Sequence, residues 1–303
     1  MLSIILNQVN KIKKEILWGI IIFKGVDLIG NFICIRLDNY STEILILKKY
    51  INKIKVIENI GLDIGVKNIN SSKLKKEYID LVVKKLNPYK TFGRIFFALQ
   101  NEDVIIREYE NLGKIRKRDI YGYIKFEIGQ DMPINLESYI IKYKILNKYK
   151  DTMDLQVILF PKYIEQICNQ IAENIGIKHK YLNINYDILN KLIFRKKLNL
   201  NCDKCIIIEN LENEIILNSV KNRKVYNSNV FEKEVNMDYV LKFLEKDINI
   251  FYYGLEDNFL NQIKEKGFNV DKLKFNLKLN TLLTEKIVDK DINNYIICIG
   301  LVV

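Results

Sequence analysis

Short apolar runs closed by turn-forming residues follow one another along the chain, and their spacing switches between strand and helix periods. Residues 32–37, 42–47 and 53–60 read as strands, the first two joined by Asp38-Asn39-Tyr40-Ser41, a turn composition. A helix follows from Ser72, placed to cap it, with Leu74, Tyr78, Leu81, Val82 and Lys85 at helical spacing, and it stops before Pro88. Residues 94–99 read as a buried strand and 104–109 as its hairpin mate. A helix near 116–129 and strands at 139–146 and 155–160 come next. Pro161 is placed to start a helix whose apolar face is Ile164, Ile167, Cys168, Ile171 and Ile175, and Gly176 is placed to end it. A strand near Tyr181, a helix over 187–195, and strands at 206–209 and 214–220 continue the series. The chain closes with a helix (237–244), a strand (248–253), a helix (257–266) and an apolar segment (295–303). Strand-rich clusters open each half, near residues 32 and 205, which predicts an α/β protein with mixed sheets and two related halves.

Composition narrows this picture more than it redirects it. With 303 residues the chain suits two hydrophobic cores better than one, and 49% hydrophobic against 28% charged residues is an ordinary globular balance. Three prolines and thirteen glycines leave little room for a low-complexity linker. The net charge of +11 would suit a nucleic acid or anionic lipid partner. Yet the lysines are spread evenly and no basic stripe interleaves with aromatics, so the charge reads as background. The apolar run 16–23, preceded by Lys11, Lys13 and Lys14, is eight residues long and holds Gly19, too short to span a bilayer. An interfacial anchor helix within the first thirty residues is one reading, and packing against the main body is the preferred one. Five cysteines without a secretory signal suit a reducing compartment. Cys202 and Cys205 form a lone CxxC, and the only histidine, His179, stands far off in sequence, so no zinc set is expected. Cys205 also opens an apolar strand, which speaks for packing over redox chemistry.

Several segments resemble the PilM branch of the actin-like ATPase superfamily, which also includes sugar kinases and heat-shock proteins. Ile105-Ile106-Arg107-Glu108, Phe126-Glu127, Met132-Pro133-Ile134 and Tyr143-Lys144-Ile145-Leu146 follow the order of that family's inserted subdomain. Asn174-Ile175-Gly176-Ile177 stands at its helix-ending turn, and Ile297-Cys298-Ile299-Gly300-Leu301-Val302 is similar to its closing segment. The resemblance covers residues 32–303. It implies an actin-like, ribonuclease H-like duplicated fold of two lobes with mixed β-sheets. Residues 1–30 would be an N-terminal extension of unknown role, 31–200 the first lobe with an inserted subdomain at about 104–148, and 201–303 the second lobe.

In this family each half opens with a β-hairpin whose turn grips nucleotide phosphate. Such a turn needs glycine for close backbone approach, hydroxyls for hydrogen bonds, and a carboxylate for the metal's water shell. The matching first turn has Arg36 in place of the aspartate, Asp38 in place of the glycine and Glu43 in place of the lysine, while Ser41 and Thr42 are kept. The second, Glu209-Asn210-Leu211-Glu212-Asn213-Glu214, has neither glycine nor hydroxyl, and its three carboxylates read as a solvated acidic hairpin. Gly254 remains in the adenine-flanking segment, where Tyr253 could stack on a base or end a buried strand. The candidate cofactor-binding residues are therefore Asp38, Asn39, Ser41, Thr42, Glu209, Asn210 and Gly254, for ATP with magnesium if any cofactor is taken. No catalytic residue and no metal ligand is expected. Gly61-Leu62-Asp63-Ile64-Gly65 fits the first-turn pattern better, but no return strand follows it, so it is assigned to a loop before the first long helix.

The resemblance implies a cytoplasmic scaffold of a type IV pilus, secretion or competence machine, peripheral at the inner face of the cell membrane. Its partner would be the N-terminal tail of a PilN-like inner-membrane protein, held in a groove between the first subdomain and the insertion, with surfaces near 92–99 and 121–127. Contact with the membrane would run through that partner, and self-association is allowed. A working actin-like ATPase and a basic nucleic-acid binder are the alternatives, and neither a general base nor intact loops supports the first.

Overall fold

The structure, a computed structural model, describes residues 29–51, 53–69, 71–200, 202–234, 237–244, 248–276 and 291–303. Expectations for residues 1–28 therefore lie outside the described residues. The chain divides into two compact units, Gln100–Gln170 and the described part of Met1–Leu99 with Ile171–Val303.

The larger unit holds two five-stranded sheets of the same design. In the first, β1 (Gly30–Leu37), β2 (Thr42–Lys49) and β3 (Ile54–Leu62) form an antiparallel meander. β4 (Arg94–Leu99) and β8 (His179–Ile184) then add in parallel on the other side of β1. The order is β3-β2-β1-β4-β8. In the second, β9 (Lys204–Asn210), β10 (Glu214–Lys221) and β11 (Lys224–Glu232) form the meander, and β12 (Asn249–Gly254) and β13 (Val270–Lys272) add in parallel beyond β9. That order is β11-β10-β9-β12-β13. The central strands β1 and β9 are apolar on both faces, as strands covered on both sides require.

The helices repeat in step. α1 (Ser72–Leu86) follows the first meander, α3 (Lys162–Ile175) leads into β8, and α4 (Asn185–Phe194) follows it. Their counterparts in the second half are α5 (Met237–Leu241), α6 (Asn258–Glu265) and α7 (Ile296–Gly300). The fold is thus one βββαβαβα unit written twice. The halves differ most between the fourth strand and the next helix, where the second has a short link from Gly254 to Asn258 and the first has residues 100–161.

That extra stretch builds the smaller unit. Its sheet places β7 (Thr152–Pro161) between β5 (Ile105–Gly113) and β6 (Tyr139–Lys148), antiparallel to both. α2 (Ile120–Asp131) lays Ile120, Ile124 and Ile128 on Ile141, Met153, Leu155, Val157 and Leu159. The expected hairpin of 94–99 with 104–109 does not form. β4 pairs in parallel with β1 and β8, and β5 pairs with β7, because each strand finds its apolar match in a different sheet.

Local chemistry explains smaller departures from expectation. The cap of α1 is Ser71, whose hydroxyl accepts from the Leu74 amide, and Ser72 is the first helical residue. Pro161 is the last residue of β7, and its helix begins one residue later. Two strands were missed. β11 alternates polar residues at the sheet edge, and β13 is only three residues long. Among the described residues no helix is long and apolar enough to cross a membrane.

Candidate functional site

The two meanders present equivalent turns. Leu37 pairs with Thr42 and Asn210 pairs with Ile215, and each turn is closed by a 3.0 Å backbone bond, Asp38 N–H to Ser41 and Leu211 N–H to Glu214. Arg36 and Glu209 consequently hold equivalent positions, one residue before the end of the first strand of each half. They meet. The Arg36 guanidinium lies 3.2 Å from Glu209 Oε1, 2.9 Å from Asp38 Oδ2 and 3.7 Å from Glu43 Oε2. Its Nε also donates to Asp38 Oδ2 at 3.0 Å, so the Asp38 contact is two-pronged.

The turns themselves also touch. Asn39 Nδ2 donates to Glu214 Oε2 at 2.7 Å, and the Tyr40 hydroxyl donates to Glu232 on β11 at 2.7 Å. Lys67, in the loop after β3, pairs with the same Glu232. Asn185 at the start of α4 donates to Glu209 at 3.2 Å. Arg36 is 6% exposed, Asp38 and Glu214 1%, and Glu209 and Asn39 are fully buried. The second turn is therefore not the solvated acidic hairpin that its composition predicts. Glu209 and Glu214 are taken inward because Arg36 and Asn39 of the other half meet them, while Glu212 stays exposed.

Electrostatics follow from one cation among several buried acids. Burial works against the Arg36 charge, but Asp38, Glu43 and Glu209 outweigh it and hold the guanidinium well above its ordinary range. Burial pushes the Glu209 carboxyl up to about 7, with Arg36 opposing and Asp38 adding to the rise. Burial and the Asp38 charge raise Glu214 to about 8. Among the described residues, one buried side-chain oxygen each of Asp38, Glu214, Asn185 and Asn210 has no hydrogen-bond donor. The cluster as a whole is short of donors and rich in acceptors.

The remaining candidates serve the architecture around these turns. Ser41 Oγ donates to Asp38 Oδ2 at 3.3 Å. Thr42 Oγ1 donates to the Ile64 carbonyl at 2.9 Å and shares a hydrogen bond with the buried Tyr78 hydroxyl at 2.8 Å. Asn210 Nδ2 donates to the Leu255 carbonyl and to Asp257 Oδ1, tying β9 to the start of α6. Gly254 has φ +98°, and a Cβ there would overlap the Asn210 carbonyl oxygen. Tyr253 is buried at the end of β12 beside Glu209, and burial with that carboxylate raises its hydroxyl well above the ordinary range.

Asp63 lies in the loop after β3, as assigned from the sequence. Gly65 sits against the first turn. The Val66 and Lys67 amides donate to the Asp38 and Asn39 carbonyls at 2.9 and 3.0 Å, and a Cβ on Gly65 would collide with the same backbone. Sequence reasoning singled out Asp38, Asn39 and Glu209 but not Glu214 as a buried contact or Tyr40, Lys67 and Glu232 as a linking group. Nothing local marks them, since their partners lie 165 to 192 residues away. Of the CxxC pair, Cys205 is buried on β9, where burial raises its thiol, and Cys202 is half-buried. Residues 95–99, expected near a partner surface, are fully buried, whereas Tyr121 and Phe126 on α2 are exposed.

No family model matches the sequence, and no curated protein matches it. Solved structures do match the fold. The PilM-PilN type IV pilus biogenesis complex matches with a TM-score of 0.66 at 8% identity, over 91% of this chain and 98% of that one. The cytoplasmic domain of EpsL, an inner membrane component of the type II secretion system of Vibrio cholerae, matches at 0.52 and 8% identity over 88% of this chain and 98% of that one. A Bacteroides thetaiotaomicron protein with an actin-like ATPase fold and unknown function matches at 0.51 and 13% identity, over 84% and 94%. The chain is PilM-like in fold, with the duplicated, two-lobed actin-like ATPase architecture.

Proposed function

We propose that this PilM-like fold works as a cytoplasmic scaffold in the assembly of a type IV pilus or a related secretion or competence machine. In this reading it binds the cytoplasmic tail of a PilN-like inner-membrane protein and no longer depends on nucleotide. The observation that supports the second half is the Arg36–Glu209 ion pair, set between the two turns that match the family's phosphate turns by resemblance. A polyphosphate brought there would meet the Asp38, Glu209 and Glu214 side chains, with the Asp38 and Leu211 amides already bonded inside their turns. The residues present do not fit a magnesium nucleotide. One guanidinium is the cation set between the two turns. The assembly role rests on the likeness of fold to the PilM-PilN complex and to the EpsL cytoplasmic domain.

The test is direct binding. A peptide matching the N-terminal cytoplasmic tail of a PilN-like inner-membrane protein from the same genome should bind the purified protein, with the same affinity in the presence and absence of magnesium ATP. No binding under either condition would remove the scaffold reading, and binding only with ATP would restore the ATPase alternative.

A further inference from the structure

The smaller unit is electrically neutral by count, with eleven lysines and arginines against eleven aspartates and glutamates over residues 100–170. Its charges are nevertheless sorted by the topology. β5 and β6 run the same way on either side of β7, so the loop leaving β5 and the turn leaving β6 emerge at one end of the sheet. Lys114, Arg116, Lys117 and Arg118 occupy the first and Lys148 and Lys150 flank the second, all exposed. The Lys114 amide donates to the Asp151 carbonyl at 3.0 Å, which binds loop to turn. Buried Asp154 fixes both from below: Oδ1 accepts from the Asn111 amide at 2.9 Å, and Oδ2 accepts from Asn147 Nδ2 at 2.8 Å and from the Tyr149 hydroxyl at 3.3 Å.

Glu110, Asp119, Asp151 and the buried Asp154 stand among these six cations, so a third of the positive charge is uncompensated locally. Arg118 pairs with its neighbour Asp119, at 3.6 Å and in solvent. At the opposite end, before β5 and β6 and at the last residue of α2, stand Glu102, Asp103, Asp131 and Glu137, with the Lys162 ammonium donating to the Glu137 carbonyl. The even lysine spacing in the sequence therefore conceals a basic end, made from two segments thirty residues apart. Aromatic rings share it. Tyr149, between Lys148 and Lys150, is 52% exposed, and Tyr121, in the first turn of α2, is 46% exposed with the Lys125 ammonium 5.0 Å from its ring centre.

We propose that this end of the smaller unit docks directly on a membrane surface through anionic phospholipid headgroups. Exposed lysines and arginines on projecting loops, with tyrosines at the same level, match the chemistry of an anionic bilayer interface. A nucleic acid would call for rings laid out as a stacking platform along a groove, and here they stand on a turn and a helix start. Contact with the membrane is then a property of this chain itself and needs no partner.

The full chain is sedimented with vesicles of phosphatidylcholine alone and of phosphatidylcholine mixed with phosphatidylglycerol. It should bind the mixed vesicles only, and high salt should release it. R116E/K117E/R118E should weaken binding by at least about a hundredfold, since each cation near an anionic surface contributes about 1 kcal/mol. K73E/K76E/K84E on α1 removes the same net charge from exposed sites in the other unit and should bind nearly as the parent does. R116Q/K117Q/R118Q gives the same reading if the reversal fails to fold. The proposal is overturned if the mixed vesicles are not bound, if both triple reversals lose binding equally, or if a DNA or an acidic polypeptide is bound in preference to the vesicles. Because no pilus component is present, the outcome is independent of the scaffold reading.

Discussion

Arg36 is the residue on which the candidate site turns. A buried ion pair contributes little net stability when whole, but removal of one partner leaves an uncompensated buried charge at a cost of about 3–5 kcal/mol. Arg36→Met should therefore destabilise the protein by about that amount in urea denaturation, with Asp38, Glu43 and Glu209 left facing each other. Adding Glu209→Gln should recover part of the loss, and the double-mutant cycle should show a coupling well above experimental error. If Arg36→Met were as stable as the parent, the ion pair would be incidental. The raised carboxyls set the pH dependence. Glu209 at about 7 and Glu214 at about 8 bind protons in the folded state that an unfolded glutamate, near 4.5, has already lost. Their contribution is fully present below about 4.5 and is lost as pH rises through about 7 to 8, so stability should fall across that window. Glu214→Gln, which keeps an acceptor for Asn39, should flatten the fall. A urea midpoint series against pH checks both. The composition of each turn is plain in the sequence, but the burial of Glu209 and Glu214 in the second turn is not. That Arg36 and Glu209 answer each other is not plain there either, because their contact spans the two halves of the chain.

At the level of elements, apolar periodicity located the strands of both meanders and most helices, and it hinted at the duplication that the two identical strand orders establish. It failed where the signal is weak. β11 carries Tyr226, Asn227, Ser228 and Asn229 on an edge strand, and β5 was given to the wrong sheet because period alone does not choose a partner. Two substitutions probe how the elements are joined. Gly254→Ala forces a Cβ against the Asn210 carbonyl at φ +98° and should cost about 1–3 kcal/mol, read as a fall in the denaturation midpoint. Ser71→Ala removes the acceptor for the Leu74 amide at the start of α1 and should cost about 1 kcal/mol in the same assay. A neutral Gly254→Ala would mean that β12 and β9 do not approach as closely as their register requires.

For the whole molecule, the resemblance read from medium-strength motifs agrees with the fold, at an identity to the PilM-PilN complex of only 8%. What the one-dimensional pattern hid is how charge is arranged in space. Charges spread evenly in sequence gather into a buried acidic cluster around Arg36 and a basic end on the inserted unit. Both come from strands that bring distant segments side by side. Under the proposed function, Arg36 and its carboxylate partners stand where nucleotide phosphate would otherwise lie. The most direct test is the melting temperature of the purified chain against millimolar ATP with magnesium, because any ligand bound by the folded state alone must raise it. The result expected is an unchanged melting temperature at every nucleotide concentration. A rise that grows with nucleotide concentration, as ligand linkage requires, would contradict the claim.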